Sequence, residues 1–195
     1  MLKVGSAFSG VGMWELGLKY LDIKHQVLFM CENDKFPIKS YQAIHGEVKN
    51  YGDITKVKGN EVPDIDLFVY SPPCQAFSIA GKGLGVDDPR GVLFFDAARI
   101  IKHKQPKVAI MENVKALTNS GHKDTFAGIL KTLRDLGYKN YWKILNTKDY
   151  GVPQNRERIF IVSIRKDIDK GFSWTKPFDN GVRLKDLLED QVDDK

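Results

Sequence analysis

Cysteine is scarce in this sequence, and long apolar runs are absent. The 195 residues include two cysteines, Cys31 and Cys74, which lie too far apart in the chain to form a metal-binding pair. So few thiols exclude a disulfide scaffold and favour a reducing compartment. No apolar run reaches membrane length, and the first residues enter a predicted strand without an export signal. We therefore expect an intracellular protein with no metal centre and no membrane partner.

Charge is distributed unevenly along the chain. The net charge is +5, yet residues 179–195 hold six acidic side chains against three basic ones, so the remainder is distinctly basic. A basic surface favours a polyanionic partner, although many basic proteins bind no nucleic acid. The length and the 42% hydrophobic content are typical of one folded domain, which we expect to span residues 1–195.

Apolar runs that stop at glycine or proline predict strands that alternate with helices. The predicted strands are 3–8, 27–31, 67–70, 108–111, 142–145 and 159–164. The first predicted helix follows Gly12 and has Leu16, Tyr20 and Leu21 on a shared side, and the second covers residues 36–44. The third covers residues 92–102, with Val92, Phe95 and Ala98 at helical spacing. The fourth is a run of Phe126, Ile129, Leu130, Leu133 and Leu136 that stops at Gly137. This order predicts an α/β fold with a doubly wound, mostly parallel sheet.

The strand predicted over 67–70 ends at two prolines, and Cys74 follows them. Proline cannot extend a strand ladder because it has no N–H donor. In open α/β sheets ligands bind outside the carboxyl ends of the strands, so Cys74 is placed where chemistry is usual. It is either a reactive thiol or a small buried hydrophobic residue. Cys31, inside its own strand, is predicted to fill the core.

A glycine turn at residues 8–12 separates the first strand from the first helix. Glycine lets the backbone approach a ligand closely, and a helix N-terminus offers unpaired N–H groups. Glu32 follows Gly12 by about 20 residues, the spacing of an acid that binds ribose hydroxyls. The alternative is a tight turn with a solvated glutamate. Asp53, in a polar turn beside a predicted short strand, is equally suited to capping a helix and to holding a ligand's amino group.

Three further features are candidates for ligand binding. Residues 79–91 are rich in glycine and run directly into the helix predicted over 92–102, and this continuity favours a lid over a flexible linker. Glu112 lies just past the strand predicted over 108–111. Arg156 and Arg158, two residues apart at a strand start, point the same way, and they are either a solvated pair or a binding site for an anionic or carbonyl-rich ligand.

Four motifs occur in the order and spacing of the cytosine-5 DNA methyltransferases, and the chain resembles that family over nearly its whole length. They are FSGVG at 8–12, PCQ at 73–75, ENV at 112–114 and QNRER at 154–158. The resemblance implies a Rossmann-like methyltransferase core that moves a methyl group from S-adenosylmethionine to C5 of cytosine in double-stranded DNA and releases S-adenosylhomocysteine. The target base would rotate out of the duplex, and residues 79–91 would close over it.

The resemblance also implies a role for each catalytic candidate. The Cys74 thiolate would attack C6, which turns C5 into a carbon able to accept a methyl group. Glu112, with a partly protonated carboxyl, would hold N3 and the exocyclic amine. Arg158 would grip the cytosine O2, while Arg156 would order the site and favour the thiolate form of Cys74.

A second set of residues would form the cofactor pocket of such an enzyme. Phe8 would pack on adenine, Gly10 and Gly12 would admit the methionine part, and Glu32 and Asp53 would take the ribose hydroxyls and the adenine amine. The remaining members of this set are Ser9, Asn33, Ile54, Pro73 and Leu93.

The chain departs from the family pattern at two places. Met13 stands where the family commonly carries glycine, which would crowd the methionine part of the cofactor. Family members also continue into a target-recognition domain, whereas residues 179–195 lead towards a part that this sequence does not contain. We therefore expect a cytoplasmic or nucleoid-associated catalytic core that needs a further domain, in a second polypeptide if not in its own. The alternatives are a transfer-RNA cytosine methyltransferase and an inactive remnant that binds the cofactor or a partner.

Overall fold

A six-stranded sheet with the strand order β2-β1-β3-β4-β6-β5 forms the centre of the computed structural model, which describes residues 1–73 and 93–189. The strands are β1 (Leu2–Ala7), β2 (His25–Cys31), β3 (Leu67–Tyr70), β4 (Val108–Val114), β5 (Tyr138–Asn146) and β6 (Glu157–Arg165). The helices are α1 (Met13–Tyr20), α2 (Lys35–His45), α3 (Leu93–Lys104) and α4 (Lys123–Asp135). Strands and helices alternate as predicted as far as β5, β6 follows β5 without an α-helix between them, and the fold is α/β.

Five strands of this sheet run in one direction, and β6 runs in the other. β2, β1, β3 and β4 pair in parallel, while β6 pairs antiparallel with both β4 and β5. The prediction of a mostly parallel sheet is confirmed. The start of β6 therefore lies at the edge where the other strands end, which is also where ligands bind in sheets of this kind.

Successive side chains of a strand point to opposite faces of the sheet, and all four residues of β3 are buried, so both faces of the sheet are covered. The larger core cluster joins Phe68 and Met111 of the sheet to Phe94 and Ile101 of α3 and Leu133 of α4. The smaller cluster lies on the other face, where Val4, Leu67 and Val69 pack against Trp14 and Leu18 of α1. Helices on both faces are the arrangement of a doubly wound fold.

The apolar side of α1 that was predicted from Leu16, Tyr20 and Leu21 is not the side that packs on the sheet. Tyr20 is 92% exposed and Leu21 lies at the surface, whereas Trp14 and Leu18, four residues apart, face the sheet. The apolar pattern of the sequence does not indicate this face because it includes a charged residue between Trp14 and Leu18. Glu15 is fully buried, where its carboxylate accepts a hydrogen bond from the hydroxyl of Tyr41 in α2 at 3.1 Å.

The apolar faces of the later helices are partly as predicted. In α3, Ala98 is buried, in line with the predicted face, whereas Phe95 is 38% exposed and Phe94, Ala97 and Ile101 complete the buried face. Val92 lies outside the described residues. In α4 the predicted stripe packs on the core, and the backbone turns at Gly137 with φ +97°. A glycine can adopt this left-handed conformation without steric cost, so the helix ends there.

Two predicted boundaries near the site also differ. β4 continues to Val114 because β6 pairs with residues 112–114 beyond the end of β3, so Glu112 lies within a strand and not after one. The polar turn at 52–54 leads into a short 3-10 helix, Ile54–Lys56, and an isolated bridge between Met30 and Asn50 replaces the predicted short strand. No helix within residues 1–73 and 93–189 is long and apolar enough to cross a lipid bilayer.

Candidate active site

A cleft of about 740 Å³ opens at the edge where β1, β3 and β4 end and β6 begins. Because β6 runs opposite to the other strands, its first residues lie beside the last residues of β4. Motifs from the beginning and the end of the chain therefore meet at this cleft. The cleft is lined, among others, by Phe8, Ser9, Gly10, Trp14, Ser71, Glu112, Asn146, Arg156, Arg158 and Phe160. Residues from four parts of the chain thus share one concave surface, the usual form of a ligand site.

Glu112 and Arg158 form an ion pair on the wall of this cleft. Arg158 Nε lies 3.0 Å from Glu112 Oε1, and each side chain is about one quarter exposed. Arg158 Nη1 also donates to the carbonyl of Glu157 at 2.8 Å, which fixes the plane of the guanidinium. The pair places a hydrogen-bond acceptor beside fixed donors, which suits a planar ligand with both kinds of group on its edge.

Arg156 is positioned through its backbone. Its amide donates to Asn146 Oδ1 at 3.1 Å, its carbonyl accepts from the amide of Thr147 at 3.1 Å, and Asn146 Nδ2 donates to Asn155 Oδ1 at 2.7 Å. Asn146, at the end of β5, therefore holds the turn that carries Arg156. The sequence analysis did not single out Asn146. The one signal for it in the sequence is its position directly after the strand predicted over 142–145.

The segment that leads to Cys74 is tied to β4. Asn113 is buried, and its Nδ2 donates to the carbonyl of Pro72 at 2.8 Å. Ser71 lines the large cleft, and Pro73 lines a smaller cavity beside it. Cys74 and the predicted lid over 79–91 lie outside the described residues.

The glycine turn separates the cleft from the smaller cavity. Phe8 borders both and has a φ of +53°, which is uncommon for a bulky residue and occurs where surrounding structure enforces it. Ser9 and Gly10 border the cleft, and the buried Ser9 hydroxyl has no hydrogen-bond partner among the described residues. Met13 also lines the cleft and is largely exposed at the start of α1.

Gly12 borders neither cavity and instead permits close packing beneath the turn. Its φ is +80°, and a Cβ there would collide with the His45 imidazole and lie 2.8 Å from Tyr41 Cε2. His45 also contacts the turn directly, since its Nε2 lies 3.2 Å from the carbonyl of Val11. The structure thus places Gly12 in the support of the turn and not in a cavity wall.

The smaller cavity, of about 170 Å³, brings together most of the predicted cofactor residues. Its lining includes Phe8, Glu32, Asn33, Asp53, Ile54, Pro73 and Leu93, together with Cys31 and Gly52. The Glu32 carboxylate accepts hydrogen bonds from the amide of Gly10 at 2.9 Å and from those of Asn33 and Asp34 at 2.9 and 3.0 Å. Glu32 therefore links the end of β2 to the glycine turn.

Asp53 and Cys31 occupy different environments at this cavity. Asp53 Oδ1 accepts from the hydroxyl and the amide of Thr55 at 2.8 and 3.0 Å, and these two bonds hold the pKa of Asp53 below its usual value. Asp53 thus caps the 3-10 helix, one of its two predicted roles. Burial, helped by the charge of Glu32, raises the pKa of the Cys31 thiol to about 12, so this cysteine fills space as predicted. The described residues contain no group of three or more acidic, histidine or cysteine side chains arranged to hold a metal.

Comparison with known proteins agrees with this geometry. A profile of the C-5 cytosine-specific DNA methylase family matches residues 2–195. The chain belongs to this family. Type II methyltransferase M1.ScrFI of Lactococcus lactis subsp. cremoris is 45% identical over 99% of the chain, and M.NgoBI of Neisseria gonorrhoeae is 44% identical over 99%. The chain covers 50% and 59% of the lengths of these two relatives.

Solved structures of methyltransferases show the same fold as this member of the C-5 cytosine methylase family. The S. pombe Dnmt2 methyltransferase superposes with a TM-score of 0.80 at 22% identity, over 99% of this chain and 62% of its own. The Entamoeba histolytica methyltransferase EhMeth gives a TM-score of 0.75 at 19% identity, over 99% and 61%. The predicted α/β methyltransferase core is therefore confirmed.

Proposed function

We propose that this chain is the catalytic and cofactor-binding domain of an enzyme that methylates C5 of cytosine in DNA, with S-adenosylmethionine as methyl donor. The observation that carries the proposal is the Glu112 and Arg158 ion pair, on the wall of a cleft that begins at the glycine turn. Cytosine presents N3, O2 and an amine along one edge. A carboxyl group and a guanidinium side by side match these groups.

The smaller cavity suits the adenosine half of the cofactor. Phe8, Ile54 and Leu93 supply apolar surface for a purine, and the carboxylates of Glu32 and Asp53 supply acceptors for hydroxyl and amine donors. Ser9 and Gly10 line the large cleft, which Phe8 also borders, and the methionine half would extend there. When bound, the cofactor supplies an electrophilic methyl group.

The residues of the chain would perform the remaining chemistry on cytosine. Cys74 Sγ forms a bond to C6, and the electron pair of the C5–C6 double bond moves to C5, which then accepts the methyl group. Glu112 balances the charge that develops on the ring by sharing a proton with N3. Loss of the C5 proton to a base and cleavage of the S–C6 bond restore the aromatic ring and the thiolate.

Selection of a DNA sequence would rest on residues outside this chain. The chain spans only 50% and 59% of the lengths of the two relatives, so we propose that a further domain, in the same polypeptide or a second one, holds the duplex while the target base is rotated out. Such an enzyme acts where its DNA lies, in the cytoplasm or at the nucleoid.

Methyl transfer can be tested directly. We expect tritium from labelled S-adenosylmethionine to appear in double-stranded DNA, and DNA containing 5-fluorocytosine to trap the protein covalently because fluorine at C5 cannot leave as a proton does. Cys74→Ser should abolish both signals. Cofactor binding without any covalent adduct, with the complete protein supplied, would contradict the proposal, and transfer to tRNA in preference to DNA would change the substrate.

A further inference from the structure

Arg99 of α3 holds the 3-10 helix Ile54–Lys56 at both ends. Its Nη2 donates to the carbonyls of Ile54 at 2.9 Å and Val57 at 2.8 Å, and its Nε donates to Val57 at 3.2 Å. Nη1 of the same guanidinium pairs with the carboxylate of Asp96, one helical turn earlier. No other side-chain hydrogen bond joins these two segments in the described part of the chain. Ile54 and Val57 also pack in the same core cluster as Phe94 and Ala97, and Arg99 adds the directional contact that orients α3 against the 3-10 helix.

Both segments contribute residues to the lining of the small cavity. Asp53 and Ile54 come from the start of the 3-10 helix, and Leu93 is the first residue of α3. Asp96 follows Leu93 by three residues, so the two share a helical turn. A change in the Arg99 contacts would move Ile54 relative to Leu93, and the width of the cavity would change with it.

The burial of Asp96 shows that this contact is more than a surface ion pair. Asp96 is 2% exposed, and its Oδ2 has no hydrogen-bond partner among the described residues. Burial raises the pKa of this carboxyl, Arg99 opposes the shift, and the charge of Asp53 adds to it. A buried carboxylate is costly unless it is paired with a cation. The ion pair between Asp96 and Arg99 also orients the guanidinium towards the carbonyls of Ile54 and Val57.

We propose that Asp96 and Arg99 are positioning residues that set the width of the small cavity and thereby the affinity for the adenosine half of the cofactor. This inference rests on the proposed function of that cavity. Neither residue lines the cavity or touches the proposed position of the cytosine. The pair should therefore govern cofactor binding and leave the chemical step unchanged.

Calorimetry with S-adenosylhomocysteine tests the inference on the complete protein. We expect Arg99→Gln to raise the Kd by about tenfold or more and to raise the KM for S-adenosylmethionine similarly, with kcat at saturating cofactor within about twofold of wild type. Arg99→Lys should recover part of the affinity, since an ammonium keeps the charge but cannot bridge all three acceptors. Asp96→Asn, which preserves the shape of the side chain, should weaken binding by about threefold or more.

Arg165 provides a matched control at the opposite edge of the sheet. Its side chain is 31% exposed against 35% for Arg99, and it also pairs with a nearby carboxylate, Asp167, and donates to a carbonyl, that of Gln105 at 2.9 Å. Arg165→Gln should lower Tm without altering the Kd.

Separate outcomes identify which idea is wrong. If Arg99→Gln and Asp96→Asn bind S-adenosylhomocysteine as tightly as wild type, the positioning role is overturned while the proposed function stands. If Arg99→Gln does not fold, Asp96→Asn decides alone. If the wild-type protein itself does not bind S-adenosylhomocysteine, the proposed function fails and the positioning role fails with it.

Discussion

Arg158 Nε lies 3.0 Å from Glu112 Oε1, although the two residues are far apart in the sequence. The contact depends on the direction of β6. Because β6 runs antiparallel to β4, Val114 pairs with Arg158 and Glu112 with Phe160, so the beginning of one strand meets the end of the other. In a fully parallel sheet the start of β6 would lie at the opposite edge.

Glu112→Gln should abolish most methyl transfer and leave the cofactor site intact. The amide cannot share a proton with N3, so we expect the rate of tritium transfer to fall by about 10²–10⁴-fold, with an unchanged Kd for S-adenosylhomocysteine. The control is Glu157→Gln, one residue before Arg158, which breaks an exposed ion pair with Lys115. This change should have little effect on the rate of methyl transfer or on the Kd. A Glu112→Gln protein that works within about tenfold of wild type would remove Glu112 from the mechanism.

Gly12→Ala should destabilise the protein. The positive φ and the collision with His45 together should lower the free energy of unfolding by about 2–4 kcal/mol. Gly17→Ala is the matched control, because Gly17 lies within α1 and a Cβ there meets nothing within 4 Å; it should stabilise by about 0.5–1 kcal/mol. Urea unfolding measures both, and equal effects of the two changes would show that the packing beneath the turn is unimportant.

Asn146→Ala should slow catalysis through Arg156. Loss of the Asn146 bonds would release the turn at 154–156, and small displacements of positioned groups can cost about 10²-fold in rate. We expect kcat to fall by at least about tenfold. Asn140, in the same strand, donates one side-chain bond to the carbonyl of Leu130 at 2.9 Å. Asn140→Ala should cost about 1 kcal/mol of stability and leave kcat as it is, and a similar loss of rate in both variants would point to general destabilisation.

The two cysteines should differ sharply in alkylation. Cys31 is buried, and its pKa of about 12 leaves almost no thiolate near neutral pH. Iodoacetamide at about pH 8 should therefore modify one site in the native protein, Cys74, and two sites in urea. Mass spectrometry of the native Cys74→Ser protein should show no adduct. Rapid labelling of that variant would mean that Cys31 is accessible.

The spacing of apolar residues predicted the helices and strands whose buried residues are mostly apolar. Most strands and α4 follow apolar runs with clear stops, although β5 begins at Tyr138, before its predicted run over 142–145. Each of the four motifs contributes at least one residue to the lining of a cavity. α1 was misread because its inward face includes a charged residue, Glu15, whose partner Tyr41 lies on another helix. The length of β4 and the roles of Asn113 and Asn146 depend on strand pairing and side-chain bonds between distant segments. Such contacts leave no periodic signal in the sequence.

The reversed strand also bears on the order in which the site assembles during folding. β5 and β6 are joined through residues 147–156 and form an antiparallel pair, and hairpins of this kind form within about 1–10 μs. The parallel pairs β1–β3 and β3–β4 join residues separated by long stretches of chain, which makes their formation slower. We therefore expect Arg156 and Arg158 to reach their mutual arrangement early, on a local hairpin, and Glu112 to join them only when β4 docks against it.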